Sequence, residues 1–158
     1  MTANTGPWAD LHTSLRQDIE VTISLQKLLD QEREALEQRD YDGFNQLLGN
    51  KQQLLQQLEQ HAGHRQQLLK NAGFSDDQQA LDQAERQAPA TAKLWRTLLE
   101  QWQKCQQQNE VNERVAQRTR QVVGQVLDML RGRTASSRTY DASGTAKSYN
   151  SGLTITSA

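Results

Sequence analysis

Two histidines, His61 and His64, stand three residues apart in a stretch dominated by leucine and glutamine. On a helix that spacing turns both rings to one face, the arrangement by which a helix offers two ligands to a metal ion. A site needs more. The only other histidine is His12, and no carboxylate-x-x-His motif occurs. The single cysteine, Cys105, can form neither an intramolecular disulfide nor a cysteine zinc site. There is no glycine-rich phosphate loop, no G-x-S-x-G elbow and no Ser/His/Asp or Cys/His spacing of a nucleophilic enzyme. Neighbouring carboxylates such as Glu32 and Glu34 read as solubilising residues on a solvated helix. The chain is therefore expected to catalyse nothing, to need no cofactor or metal and to take no small-molecule substrate. What remains is binding.

The elements that would carry such binding are legible in composition and period. Of 158 residues, 35% are hydrophobic and 5% aromatic, with two prolines, Pro7 and Pro89. Gln, Glu, Arg, Leu and Ala favour helix, and almost no stretch alternates like a strand. The reading is all-α: an elongated antiparallel helical bundle or coiled coil of three long helices plus one short helix. A net charge of −1, with both signs mixed along the chain, argues against nucleic acid as a partner, which asks for a basic stripe. The N-terminal stretch MTANTGPWADLH has neither a positive n-region nor an apolar h-region. With no transmembrane run either, the expectation is a cytoplasmic protein without direct membrane insertion.

The longest periodic run covers residues 91–132. Trp95, Trp102, Asn109, Ala116, Val123 and Leu130 recur every seven residues, and Leu98, Cys105, Asn112, Thr119 and Val126 follow three positions on. Both series lie on one helix face, the pattern of helices packing along a shared seam. Cys105 reads as a small buried hydrophobe of that seam. Its middle is polar, and Asn109 and Asn112 are candidate register-setting residues, because buried asparagine at seam positions sacrifices stability for register. In the second half, Val115, Val122 and Met129 add a further apolar row and Leu127 widens the other side. A face that wide suits two partner helices rather than one.

Upstream, Pro7 marks a helix start, and Trp8, Leu11, Leu15, Ile19, Leu25, Leu29 and Leu36 give a helix over about 8–39. Asp40 or Asp42 can cap a second helix over about 42–72, closed at Gly73. Lys51 and Arg65 fall on its seam, where long stems can lie along the apolar surface with their charged heads at its edge. Ser75 opens a short third helix over about 76–87, with little to bury beyond Leu81, Ala84 and Ala88, and Thr91 is a candidate cap for the fourth. Residues 1–132 thus read as the bundle. Residues 133–158, rich in Ser, Thr and Gly, read as a flexible tail. A 91–132 helix is about 60 Å long against about 45 Å for the first two. An overhanging C-terminal end would be left bare, to be covered by another chain's amphipathic helix or by self-association into a homo-oligomer.

Four features resemble the FlgN family, cytosolic export chaperones of the bacterial flagellum. They are the helix end and turn EREALEQRDYDGFNQLLGNK, the segment KQQLLQQLEQHAGHRQQLLKNAG, the pair Asn109 and Asn112, and the tail motif Tyr140-Asp141-Ala142-Ser143-Gly144, similar to the family's Tyr-Gly-x-x-Gly. Asp141 departs from the pattern, standing where the family has glycine. The resemblance implies a protein that binds the C-terminal helical segments of hook–filament junction proteins and delivers them to the cytoplasmic domain of the flagellar export gate. It places substrate binding at about 111–131, hence on Val111, Val115, Val122, Val123, Val126, Leu127, Met129 and Leu130, and gate docking on Tyr140 and Gly144. Leu153 and Ile155 would also allow the tail to fold back on the bare helix end.

Overall fold

A computed structural model describes residues 6–131 of the chain. These residues form four helices and no strand: α1 Pro7–Glu37, α2 Tyr41–Asn71, α3 Asp77–Gln87 and α4 Pro89–Leu130. The chain is all-α, with three long helices and one short one. The described residues fall into two units, the first ending at Glu113 and the second beginning at Arg114.

The turns of the first unit follow from local chemistry. Gly6, with extended backbone, precedes Pro7 at the first helical position of α1. There the missing proline N–H costs nothing, since that amide would have no helical partner. At the other end the Asp40 N–H reaches back to the Ala35 carbonyl at 2.9 Å, and Arg39 takes a left-handed backbone with φ 58°. An L-residue there is strained by about 1 kcal/mol. Asp40 then caps α2, its carboxylate accepting from the Gly43 N–H at 2.9 Å. That carboxylate occupies the space a Cβ at position 43 would need, so any side chain there displaces the cap. α2 closes on Gly73, with φ 89°, and the Phe74 N–H bonds to the Leu69 carbonyl at 3.1 Å.

Two starts differ from the sequence reading. Asp76, rather than Ser75, caps α3 by accepting from the Gln79 N–H at 2.7 Å. α4 begins at Pro89, two residues before the expected cap Thr91. The Ala88 carbonyl accepts from the amides of Thr91 and Ala92 at 2.9 and 3.1 Å, so Ala88 ends α3 and starts the ladder of α4. Thr91 is buried inside the helix, its hydroxyl 3.2 Å from His12 Nδ1.

α1 pairs antiparallel with α2 and parallel with α4. The antiparallel sense shows in the contacts of Glu32 with Lys51 and Asp18 with Arg65. The parallel sense shows in His12 with Thr91, Cys105 with Thr22 and Asn112 with Leu29. One apolar cluster gathers Leu11, Leu15, Leu69, Ala80, Trp95 and Leu98 from all four helices, with Phe74 tilted against Trp8 at 5.5 Å between rings. Ala80 and Ala84 are fully buried; their small side chains let the short α3 lie close. A second cluster joins Leu25, Leu29 and Cys105, with Leu54, Leu55, Leu58 and Trp102 packed on it.

The seam also holds charge, and here two expectations need correction. Glu32 is not on a solvated face: it is 0% exposed. The heads of Lys51 and Arg65, expected at the seam's edge, turn to buried acids on α1 and leave the side chains only partly exposed. Lys51 Nζ lies 3.2 Å from both Glu32 oxygens and donates to Asn109 Oδ1, while Asn112 Nδ2 donates to the Leu29 carbonyl at 2.8 Å and to Glu32 at 3.3 Å. Asp18, 1% exposed, accepts from Arg65 and lies 2.7 Å from His61 Nδ1. A carboxylate buried this deeply draws cations inward, because an unpaired charge there is worth several kcal/mol of instability.

Two outcomes check this account. Lys51→Met, which strands the Glu32 charge, should lower unfolding free energy in urea by about 3 kcal/mol, whereas Glu32→Leu with Lys51→Leu should recover most of it. Arg39→Gly should stabilise by about 1 kcal/mol by relieving the left-handed residue. A further outcome concerns Cys105, buried at 2% exposure. Burial, and secondarily the negative charge of Asp30, push its thiol up from the ordinary range. The folded chain therefore holds the thiol proton more tightly than the unfolded chain. That contribution to stability is complete below the ordinary thiol range and fades as pH rises through it. Native Cys105 should resist a disulfide reagent until the chain is unfolded. The alkaline fall in the melting midpoint should be shallower in Cys105→Ala than in the parent.

Candidate binding face

The heptad series of α4 changes character along its length. Trp95, Leu98, Cys105, Asn112 and Ala116 are buried, and Trp102, Asn109 and Thr119 are half-buried. Beyond them the same two series come to the surface. Val123, Val126 and Leu130 are exposed, and so are Val122, Leu127 and Met129 beside them. Met129 and Leu130 reach 74% and 78% exposure, values ordinary for lysine and unusual for large apolar side chains.

Within the second unit these residues form one stripe. At 3.6 residues per turn, Val115, Val122, Val123, Val126, Met129 and Leu130 fall inside an arc of about 120°, with Leu127 just outside it. From Val115 to Leu130 the stripe runs about 22 Å. Val115 is half-buried and the others exposed. Thr119, in the middle of the stripe, turns its hydroxyl back to the Val115 carbonyl of its own helix at 3.0 Å, so it keeps no free donor.

Val111, expected to share this face, belongs to the first unit, where it is exposed. Asn109 and Asn112 also lie in the first unit and join the Glu32–Lys51 layer. Tyr140 and Gly144 lie outside the described residues, as do residues 133–158 as a whole.

The histidines that opened the sequence reading part company. His61 faces Asp18, and His64 is exposed to solvent. Among the described residues, no three His, Cys, Asp or Glu side chains converge as metal ligands. No helix there is long and apolar enough to cross a membrane. The polar layers at Asp18 and Glu32 escaped the sequence reading, although a signal was present. Leu29 and Leu36 are a full heptad apart, and the seam position between them is Glu32. Likewise Asp18 occupies the seam position between Leu15 and Thr22, where Ile19 beside it drew the apolar reading.

A family model described as FlgN protein matches residues 8–148, and the chain belongs to that family. FlgN is a chaperone family serving flagellar export, not an enzyme family. No curated protein and no solved structure matches the chain.

Proposed function

We propose that this flagellar export chaperone holds the C-terminal helical segments of hook–filament junction proteins on the α4 face from Val115 to Leu130. It keeps them soluble in the cytoplasm and delivers them to the cytoplasmic domain of the flagellar type III export gate. One observation carries the reading: six large apolar side chains are exposed within nine residues, Val122 to Leu130. Among the other described residues, the exposed large apolar side chains, Ile23, Tyr41, Leu48, Leu99 and Val111, are scattered singly. A contiguous apolar stripe on a helix is the surface an amphipathic helix seeks.

The mechanism is helix against helix. A substrate segment without fixed structure when free folds on the stripe as it binds. Burial of apolar area at about 25 cal/mol per Å² drives the step, less the cost of ordering the segment. The substrate's own sticky face is covered in the same event. Val111 is proposed as a further contact residue. Tyr140 and Gly144 serve the gate, so cargo and gate engage different parts of the sequence.

Calorimetric titration of the full chain with the C-terminal segment of a hook–filament junction protein tests this. A saturable one-to-one complex with a negative heat-capacity change is expected. Val122→Asp with Met129→Asp should abolish it while the urea midpoint stays unchanged, because both side chains are already exposed. Binding that survives the double replacement would refute the face. A chain that sediments as a concentration-dependent dimer, with the face already covered, would favour a self-associating coiled coil instead.

A further inference from the structure

The stripe has rims, and their charge is one-sided. Residues 114–131 contain four arginines, Arg114, Arg118, Arg120 and Arg131, against a single acid, Asp128, and no lysine. The whole chain, by contrast, carries a net charge of −1, so positive charge is concentrated where the apolar side chains emerge. Helical geometry distributes it on both sides. Arg118 projects about 20° beyond Met129 on one edge. Arg120 and Arg131 project about 20–40° beyond Leu127 on the other edge. The Arg131 N–H bonds to the Leu127 carbonyl at 3.0 Å, which carries the helical course through Arg131. All four arginines are exposed. Asp128 falls on the back of the helix, about opposite the centre of the stripe.

We infer that the occupant of this face is an acidic amphipathic helix of another protein: an apolar seam bordered on both sides by Asp or Glu. The inference rests on the docking face proposed above and adds the chemistry that selects its cargo. Charge complementarity decides among the occupants. A second copy of this chain would set arginine rim against arginine rim, which repels. The chain's own residues 132–158 carry Arg133, Arg138 and Lys147 against Asp141, so they too bring positive charge to a positive border. An anionic lipid surface would suit the charge. The stripe, however, holds four valines and no aromatic residue, where interfacial helices favour Trp, Phe and Leu. The exclusive use of arginine fits carboxylates, which its planar fork grips with two parallel hydrogen bonds. Rim charges of this kind speed encounter and reject basic partners more than they add to final affinity.

The test uses the full chain and two fluorescently labelled synthetic peptides with the same leucine seam, one bordered by glutamate and one by lysine. Anisotropy should show the glutamate peptide binding about tenfold more tightly, the combined size of three exposed arginine–carboxylate pairs. Raising salt should erase the difference, since exposed pairs are screened. Arg118→Glu with Arg120→Glu should reverse the preference, with circular dichroism unchanged. Equal affinity for both peptides, lost in Val122→Asp with Met129→Asp, would overturn the acidic cargo and leave the docking face standing. Binding of either peptide that persists in that apolar variant would overturn the face itself, and the inference with it. Binding to phosphatidylglycerol vesicles with neither peptide retained would overturn the inference in favour of a membrane surface.

Discussion

Two buried ion pairs determine how this bundle is put together. Asp18 meets Arg65, and Glu32 meets Lys51. Fourteen residues separate the two acids along α1 and fourteen separate the two bases along α2, so both pairs obey one antiparallel register. Two heptads correspond to about 21 Å of helix. Leucine layers between them would pack almost as well after a slip of seven residues. The charges would not: a slip in one direction sets Asp18 against Leu58 and Glu32 against Phe44, and strands Arg65 and Lys51 against Leu11 and Leu25. Each buried charge left without its partner costs several kcal/mol. A well-packed apolar layer would stabilise at least as much as either pair, but it would say nothing about alignment. α4 is bound into the same scheme, because Asn112 and Asn109 both enter the Glu32–Lys51 layer.

That alignment has a consequence for binding. The long stripe of α4 is one heptad pattern from Trp95 to Leu130, and nothing in its sequence marks where burial stops. α1 and α2 are each 31 residues long and α4 is 42. Burial of the seam ends at Ala116, and the apolar residues from Val122 onward stand exposed. Arg118, Arg120 and Arg131 all fall beyond Ala116.

Much of this was legible before the structure. Period and composition indicate four helices, the turn chemistry at Asp40 and Gly73, and the widening apolar face at Val115, Val122 and Met129. What escaped was the state of the polar residues on the seam. A lysine at a seam position reads as a side chain that runs to the edge, and it does so unless a buried acid on another helix draws it in. Lys51 has such an acid in Glu32, nineteen residues earlier in sequence and adjacent only after folding. Glu32 beside Glu34 resembles surface decoration for the same reason. Thr91 looked like a cap because threonine often is one, while Pro89 set φ for the helix two residues sooner. Pairwise burial is a property of register, and register is not local.

The polar layers fix the register of α1, α2 and the first part of α4, and the Val115–Leu130 stripe is the proposed binding surface. Hydrogen exchange of the chain, free and saturated with the C-terminal segment of a hook–filament junction protein, tests it most directly. The account predicts strong amide protection around Asp18, Glu32, Lys51 and Asn112 in both states. Residues 117–131 should exchange quickly when free and slowly when bound. Uniform protection along α4 in the free chain, or new protection confined to α1 and α2 on binding, would contradict it.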